Sequence, residues 1–261
     1  MTDTAYTPAG GLTGKLRRIA ARALAVSPMT IALDRTIVSF TFDDFPRSAA
    51  TTGAAILERR GWRATYYASG GFAGGETHLG RMYDSGDLVR LDAAGHEIAC
   101  HTYAHGDSAA LGAAATQADC ARNRAFLQMA GHEAELDSFA FPYGEAAVDA
   151  KPALLKRYRA LRGVRPGVNR TGTDRGLLKA VPLDGGEAGL ERALDWIENA
   201  ALKPGWLIFY GHDVRETPGN WGCTPHFLET VCDVVERAGF DVLTVRGALD
   251  RIDASAMSRE T

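Results

Sequence analysis

The chain has 261 residues, 46% hydrophobic and 23% charged, with a formal net charge of -3. These proportions are those of a soluble globular protein and exclude a disordered chain. A balanced charge without a basic block speaks against a nucleic-acid partner, and no run of 18 apolar residues offers a transmembrane helix.

At the N-terminus, residues 12–26 (LTGKLRRIAARALAV) place Lys15, Arg18 and Arg22 at near-helical spacing. Arg17, Arg18 and Arg22 interrupt the continuous apolar core that a secretory signal would need. The segment reads as a solvated helix packing on the domain, with contact to a membrane surface as the alternative. A cytoplasmic chain is expected, peripheral to the membrane under that alternative. Four cysteines, Cys100, Cys120, Cys223 and Cys232, form no C-x-x-C pair and read as reduced thiols. Cys100 precedes His101, but neighbours on a strand point to opposite faces, so Cys100 belongs in the core.

From residue 36 onward, short apolar or β-branched runs alternate with helical patterns. Strands are predicted at 36–42, 64–68, 96–100, 138–141, 160–164, 206–210 and 241–245. Leu190, Ala193, Leu194, Ile197 and Ala201 share one helix face within 189–202. Phe227, Leu228, Val231, Val234, Val235 and Ala238 do the same within 225–238, and Gly239 supplies the stop. The pattern predicts an α/β fold, a distorted (β/α) barrel of about seven strands. Its limits are a helical N-terminal extension at 1–35, one domain at 36–252 and a tail at 253–261. No dinucleotide fingerprint or phosphate loop follows any strand. Nothing in the sequence sets an oligomeric state.

Chemistry gathers at the predicted strand ends: Asp43 and Asp44 after VSFTF, His101 and His105 after HEIAC, Pro142 and Tyr143 after SFAF, and His212 after WLIFYG. In a barrel of this kind the carboxyl ends of the strands surround one mouth, so these groups can meet. Two histidines four apart reach one point from a single turn of chain, and a carboxylate from elsewhere completes a three-ligand set with an open position for water. Such a set suits one divalent metal, Zn²⁺ first, with Co²⁺, Ni²⁺ or Mn²⁺ less selectively. Adjacent aspartates often do no more than cap a turn, but Asp43-Asp44 ends an apolar strand. His96 reads as a local hydrogen-bonding residue, and His78, His132 and His226 as solvated. Trp62, Trp206 and Trp221 read as packing residues, with Trp221 a candidate for the pocket mouth.

These motifs resemble the NodB-homology domain of the polysaccharide deacetylases, carbohydrate esterase family 4. Thr41-Phe42-Asp43-Asp44 matches its T-F-D-D motif, and His101 to His105, within GHEIACHTYAH, its H-[ST]-x-x-H motif. FAFPYG (139–144) and LIFYGHD (207–213) resemble the third and last motifs, in family order. The resemblance implies a NodB-like barrel, Asp44, His101 and His105 as metal ligands, Asp43 as general base and His212 as general acid. It further implies the backbone N–H of Tyr143 as an oxyanion donor. The implied reaction is metal-dependent hydrolysis of an N-acyl group, N-acetyl first, from an amino sugar or glycan, by metal-activated water.

Two departures stand out. Many members carry an arginine before the proline of the third motif, paired with the catalytic base; here Ala140 and Phe141 occupy that stretch. Arg162 or Arg165, in LRGVRPGVN, is the candidate substitute, Arg165 being the preferred supporting residue. The family's Asp-Trp motif has no clear counterpart, because Asp195-Trp196 falls inside a predicted helix; Asp184 is the candidate for orienting His212. Hydrolysis of a small amide or ureide on the same fold, or carbohydrate binding without turnover, are the competing functions.

Overall fold

A computed structural model describes residues 19–258. Its frame is a nine-stranded sheet whose main path runs β7-β6-β5-β2-β1-β10-β8. The central strand β1 (Ile37–Asp43) is buried at every position, as expected where both faces of a parallel sheet are covered. It pairs in parallel with β10 (Trp206–Gly211) along its length. On its other side it meets β11 (Asp241–Val242) at its start and β2 (Thr65–Ala68) at its end. The parallel order continues through β5 (Glu97–Cys100), β6 (Ser138–Ala140) and β7 (Ala160–Arg162). β8 (Val168–Asn169) runs antiparallel on β10. Two pairings tie buried polar side chains into the sheet: the Thr41 hydroxyl donates to the Phe209 carbonyl at 2.8 Å, and Trp206 Nε1–H to Ser39 Oγ at 2.9 Å.

The two ends of this path are drawn together by one segment. Leu178 lies in a parallel bridge with Arg162 of β7, and β9 (Val181–Pro182), a few residues on, pairs with β10. The sheet therefore curls into the distorted barrel read from the sequence, and all seven expected strands are present. Short β8 and β9, and the hairpin of β3 (Glu76–Thr77) with β4 (Gly80–Arg81), were outside that reading. Two residues give little periodicity. The helices Gly186–Leu202 and Pro225–Arg237 lie where expected. The second starts at Thr224, whose hydroxyl accepts the Phe227 N–H, with Pro225 in the first helical position. His96, read as a local hydrogen-bonding residue, accepts the Ala64 N–H at 2.9 Å through Nδ1.

At both termini the structure departs from the expected limits. Residues 12–18 of the basic segment lie outside the described residues. Of the extension that follows, only 19–23 are helical. Beyond them the chain is laid as an extended strap, because its backbone is claimed by a distant segment: Met29 N–H donates to Thr173 O at 2.8 Å and Arg175 N–H to Ser27 O at 2.7 Å. Residue 253 is no boundary, since the helix Val245–Met257 runs through it, burying Ile252 and pairing Asp253 with Arg159 and Arg175. Among the described residues, no helix is long and apolar enough to cross a membrane.

The strap is held from below by Lys151, a buried ammonium that donates to the carbonyls of Ala21 at 2.9 Å and Leu24 at 2.6 Å and pairs with Asp174 at 2.6 Å. Asp174 in turn accepts the Ser27 N–H at 3.0 Å. Hydrogen bonds to a charged group are worth about 1.5–3 kcal/mol. Lys151→Met is expected to lower unfolding stability by roughly that amount and to expose residues 19–31 to limited proteolysis, read by urea titration and by mapping the first cleavage site.

Candidate active site

Parallel strands put their carboxyl ends on one face, and there β1 and β5 deliver a compact cluster. The ligand atoms of Asp44, His101 and His105 all lie within 4.8 Å of one another. Asp44 Oδ1 stands 3.4 Å from His105 Nε2 and 3.8 Å from His101 Nε2. It is buried and has no hydrogen-bond partner. Ligands at about 2.0–2.1 Å from a tetrahedral ion are roughly 3.3–3.4 Å apart, so these separations fit a cation shared among them.

The donor set is prepared for that role. His101 Nδ1–H donates to the Ala140 carbonyl at 2.8 Å. Because a carbonyl only accepts, the proton belongs on Nδ1, and the Nε2 lone pair is left facing Asp44. Burial lowers the pKa of both imidazoles to about 4, holding them neutral near pH 7 as metal ligands must be. Asp44 is pushed upward from the ordinary carboxylate range by burial, with repulsion from Asp43 adding to it. A cation at the cluster would reverse that push.

Asp43 has the opposite electrostatics. Burial would raise its pKa, but the Arg162 guanidinium, aided by His101 and His212, outweighs it and holds the carboxyl below the usual range. Arg162 is buried and its NH2 group contacts both Asp43 oxygens, at 2.6 and 2.5 Å. Its guanidinium lies 5.0 Å from the Tyr67 ring centre and 5.1 Å from that of Tyr210, within cation–π range of both. Arg165 is exposed, so the supporting place preferred for it is filled by Arg162. The reason is the extent of the strand: Arg162 ends β7 and pairs in register with Ala140, at the stretch where the family pattern carries its arginine, whereas Arg165 lies beyond the strand.

His212, half-buried, directly follows β10, and its Nδ1 bonds the Trp221 carbonyl at 3.1 Å. Asp184 makes no hydrogen bond to it; Arg192, within the following helix, takes that carboxylate at 3.0 Å. The charge of His212 still reaches Asp184, whose carboxyl burial pushes upward. Tyr143 lies in the turn Pro142–Gly144 with its ring 4.5 Å from that of His105. Tyr143 and Trp221 are both exposed aromatics of the rim. His78, in the turn between β3 and β4, is exposed as read, yet its charge is felt at Asp44 and His105. The hairpin that brings it there left no sequence signal beyond its glycines. Cys100 is buried beneath, and all four cysteines are free.

Backbone strain marks the same place. Among the described residues, the non-glycine positions with positive φ are Asp44, Phe45, Thr102, His105 and Tyr143. Such conformations cost about 1–3 kcal/mol each and persist where surrounding structure enforces them.

Residues 31–159 match the family model for polysaccharide deacetylase. The chain carries a polysaccharide deacetylase domain of the NodB type. A segment of 77 residues is 36% identical to a chitin deacetylase from Pestalotiopsis sp, covering 29% of this chain and 24% of that one, so the match spans about a quarter of the relative's length. The domain also superposes on solved structures. The chitin deacetylase from the fungal pathogen Colletotrichum lindemuthianum gives a TM-score of 0.59 at 17% identity, over 86% of this chain and 92% of that one. A CE4 family pseudoenzyme from Bacillus anthracis gives 0.59 at 15%, over 87% and 70%. At these identities the likeness is one of fold, and that fold serves an enzyme and a pseudoenzyme alike.

Two outcomes are expected of this site. Protein stripped with a chelator and given Zn²⁺ or Co²⁺ should retain one ion per chain by elemental analysis, and His101→Ala none. The Asp43–Arg162 pair should stabilise the fold above about pH 4, where an unfolded aspartate ionises, and lose that contribution as pH falls through the lower folded pKa. Arg162→Met should accordingly cost about 3–5 kcal/mol at pH 7, with the deficit shrinking in acid as the carboxyl takes up a proton, measured by urea unfolding across pH.

Proposed function

We propose that this domain hydrolyses an N-acyl group, N-acetyl first, from an amino sugar or glycan. One observation carries the reading: two adjacent buried carboxylates have opposite electrostatic settings, Asp43 held ionised by Arg162 and Asp44 aimed with His101 and His105 at a common point. Paired groups whose environments push their pKa values apart are the signature of divided acid, base and ligand duties.

In this reading Asp44, His101 and His105 hold one divalent cation, for which a carboxylate and two imidazoles favour Zn²⁺, with Co²⁺, Ni²⁺ and Mn²⁺ as less selective occupants. When bound, the cation supplies Lewis-acid polarisation of water and of the acyl oxygen. Asp43 takes the proton of the attacking water. A carboxylate held low is a modest base, and what Arg162 adds is a permanently ionised group in a fixed direction, kept from joining the ligands. His212 gives a proton to the departing amine through Nε2, because Nδ1 is engaged by the Trp221 carbonyl. The Tyr143 N–H is the backbone donor assigned to the oxyanion, in a turn bent to φ +59. Aromatic faces at Tyr143 and Trp221 suit the apolar side of a sugar ring at the mouth.

Acetate release from N-acetylated chitooligosaccharides, measured by an enzyme-coupled assay with Zn²⁺ or Co²⁺ present, tests the proposal. Asp43→Asn should lose about 10²–10⁴-fold in kcat while keeping its metal; His101→Ala should lose both. Full activity in Asp43→Asn would remove Asp43 as the base. Sugar binding without acetate release would replace hydrolysis by a carbohydrate-binding role, and turnover confined to small amides or ureides would change the substrate class.

A further inference from the structure

The loop that follows His212 is folded around a single carboxylate. Asp213 is fully buried; its Oδ2 accepts the Gly219 N–H at 2.8 Å and pairs with Arg215 Nε at 2.7 Å. Its backbone carbonyl accepts the Cys223 N–H at 3.0 Å, and the Arg215 N–H returns to the Cys223 carbonyl at 3.2 Å, closing the two ends of the loop on each other. Gly222 packs so tightly that a Cβ there would stand 2.2 Å from Asp213 Oδ1. That oxygen is buried without a hydrogen-bond partner. Burying a carboxylate oxygen unpaired is unfavourable, so packing alone is a poor account of an aspartate here.

What the closed loop presents to the site is the residue beside Gly222. The Trp221 carbonyl accepts from His212 Nδ1 at 3.1 Å. A carbonyl cannot donate, so this contact assigns the ring proton of neutral His212 to Nδ1 and reserves Nε2 for exchange with substrate. The carboxylate that sequence logic offers for this duty, Asp184, is engaged by Arg192. We propose that Asp213 is a positioning residue for His212: its carboxylate holds the loop from Val214 to Cys223 in the shape that aims the Trp221 carbonyl at Nδ1. The inference rests on the reading of His212 as the general acid.

The test uses the metal-loaded chain of 261 residues as wild type, Asp213→Ala, Asp213→Asn and Gly222→Ala. Nitrogen-15 NMR of the histidine rings, with His212→Gln to assign the signal, reads the tautomer. Acetate release from an N-acetyl glycan is compared with hydrolysis of 4-nitrophenyl acetate, whose leaving group departs without a proton. In Asp213→Ala the His212 ring should lose its Nδ1–H signature. Amide turnover should then fall about 10²-fold in kcat, the scale of a misplaced catalytic group, with ester hydrolysis and metal content largely kept. Asp213→Asn, which retains an acceptor for Gly219, should recover part of the amide activity. Gly222→Ala, which displaces the carboxylate without removing it, should repeat the Asp213→Ala pattern, and it answers the question if that variant fails to fold. An unchanged His212 tautomer, or equal losses on amide and ester in a folded variant, would overturn the positioning role. Should wild-type protein release no acyl group from any amide, the deacylase reading falls, while the tautomer measurement still decides whether Asp213 sets the His212 ring.

Discussion

Two carboxylates side by side in a buried place cannot both be accommodated in the same way, and much of this structure follows from that constraint. Asp43 and Asp44 end the central strand with almost no exposure. Each repels the other's charge, and burial penalises both. The protein separates them: a guanidinium in cation–π range of Tyr67 and Tyr210 compensates Asp43, whereas Asp44 turns Oδ1, which has no hydrogen-bond partner, toward two neutral imidazoles. One carboxylate is thereby kept ionised and the other left wanting a cation. Without Arg162 the pair would compete for a single positive charge, and their opposite electrostatic settings would be lost.

Such a division needs a frame that does not relax. The barrel supplies it through parallel pairing of β1 with β10 and β2, and through the segment from Leu178 to Pro182 that links β7 to β10. Glycine-like backbone conformations at Asp44, His105 and Tyr143 are tolerable only against so stiff a support. The hydrogen bond from His101 to the Ala140 carbonyl joins the cluster to the sheet itself, so the orientation of one imidazole is set by the register of β5 and β6. Opposite these strands, the loop after β10 carries Trp221 and His212, and its shape depends on Asp213. The site is thus assembled from strand ends on one side and a self-closed loop on the other.

The seven main strands, the helices Gly186–Leu202 and Pro225–Arg237 and the grouping of Asp43, Asp44, His101, His105 and His212 were legible in the sequence because each rests on local pattern: apolar runs, helical spacing and motif order. Supporting residues were not. Arg162 and Arg165 are three apart in one segment and equally plausible as text, and only the place where β7 stops leaves the first paired with Asp43 and the second beyond the strand in solvent. Asp184 was a reasonable partner for His212 until Arg192 is seen to hold it. The hairpin bearing His78 has two-residue strands, too short for periodicity, and the strap at 24–35 is extended because residues 171–175 bond its backbone from far along the chain.

Composition and periodicity by themselves pointed to a globular α/β barrel, and the resemblance of its motifs to a known family implied which side chains would bind a metal and move protons. These are properties of neighbouring residues, since burial patterns and ligand spacing are written within a turn or a strand. Tertiary structure alone decided which arginine neutralises Asp43, what orients His212, and where the chain on either side of the domain lies. The first of those choices depends on a contact 119 residues apart, Asp43 with Arg162, and even the Trp221 carbonyl at His212, 9 residues on, depends on how the loop closes; Coulomb pairing, strand register and loop closure leave no trace in local sequence.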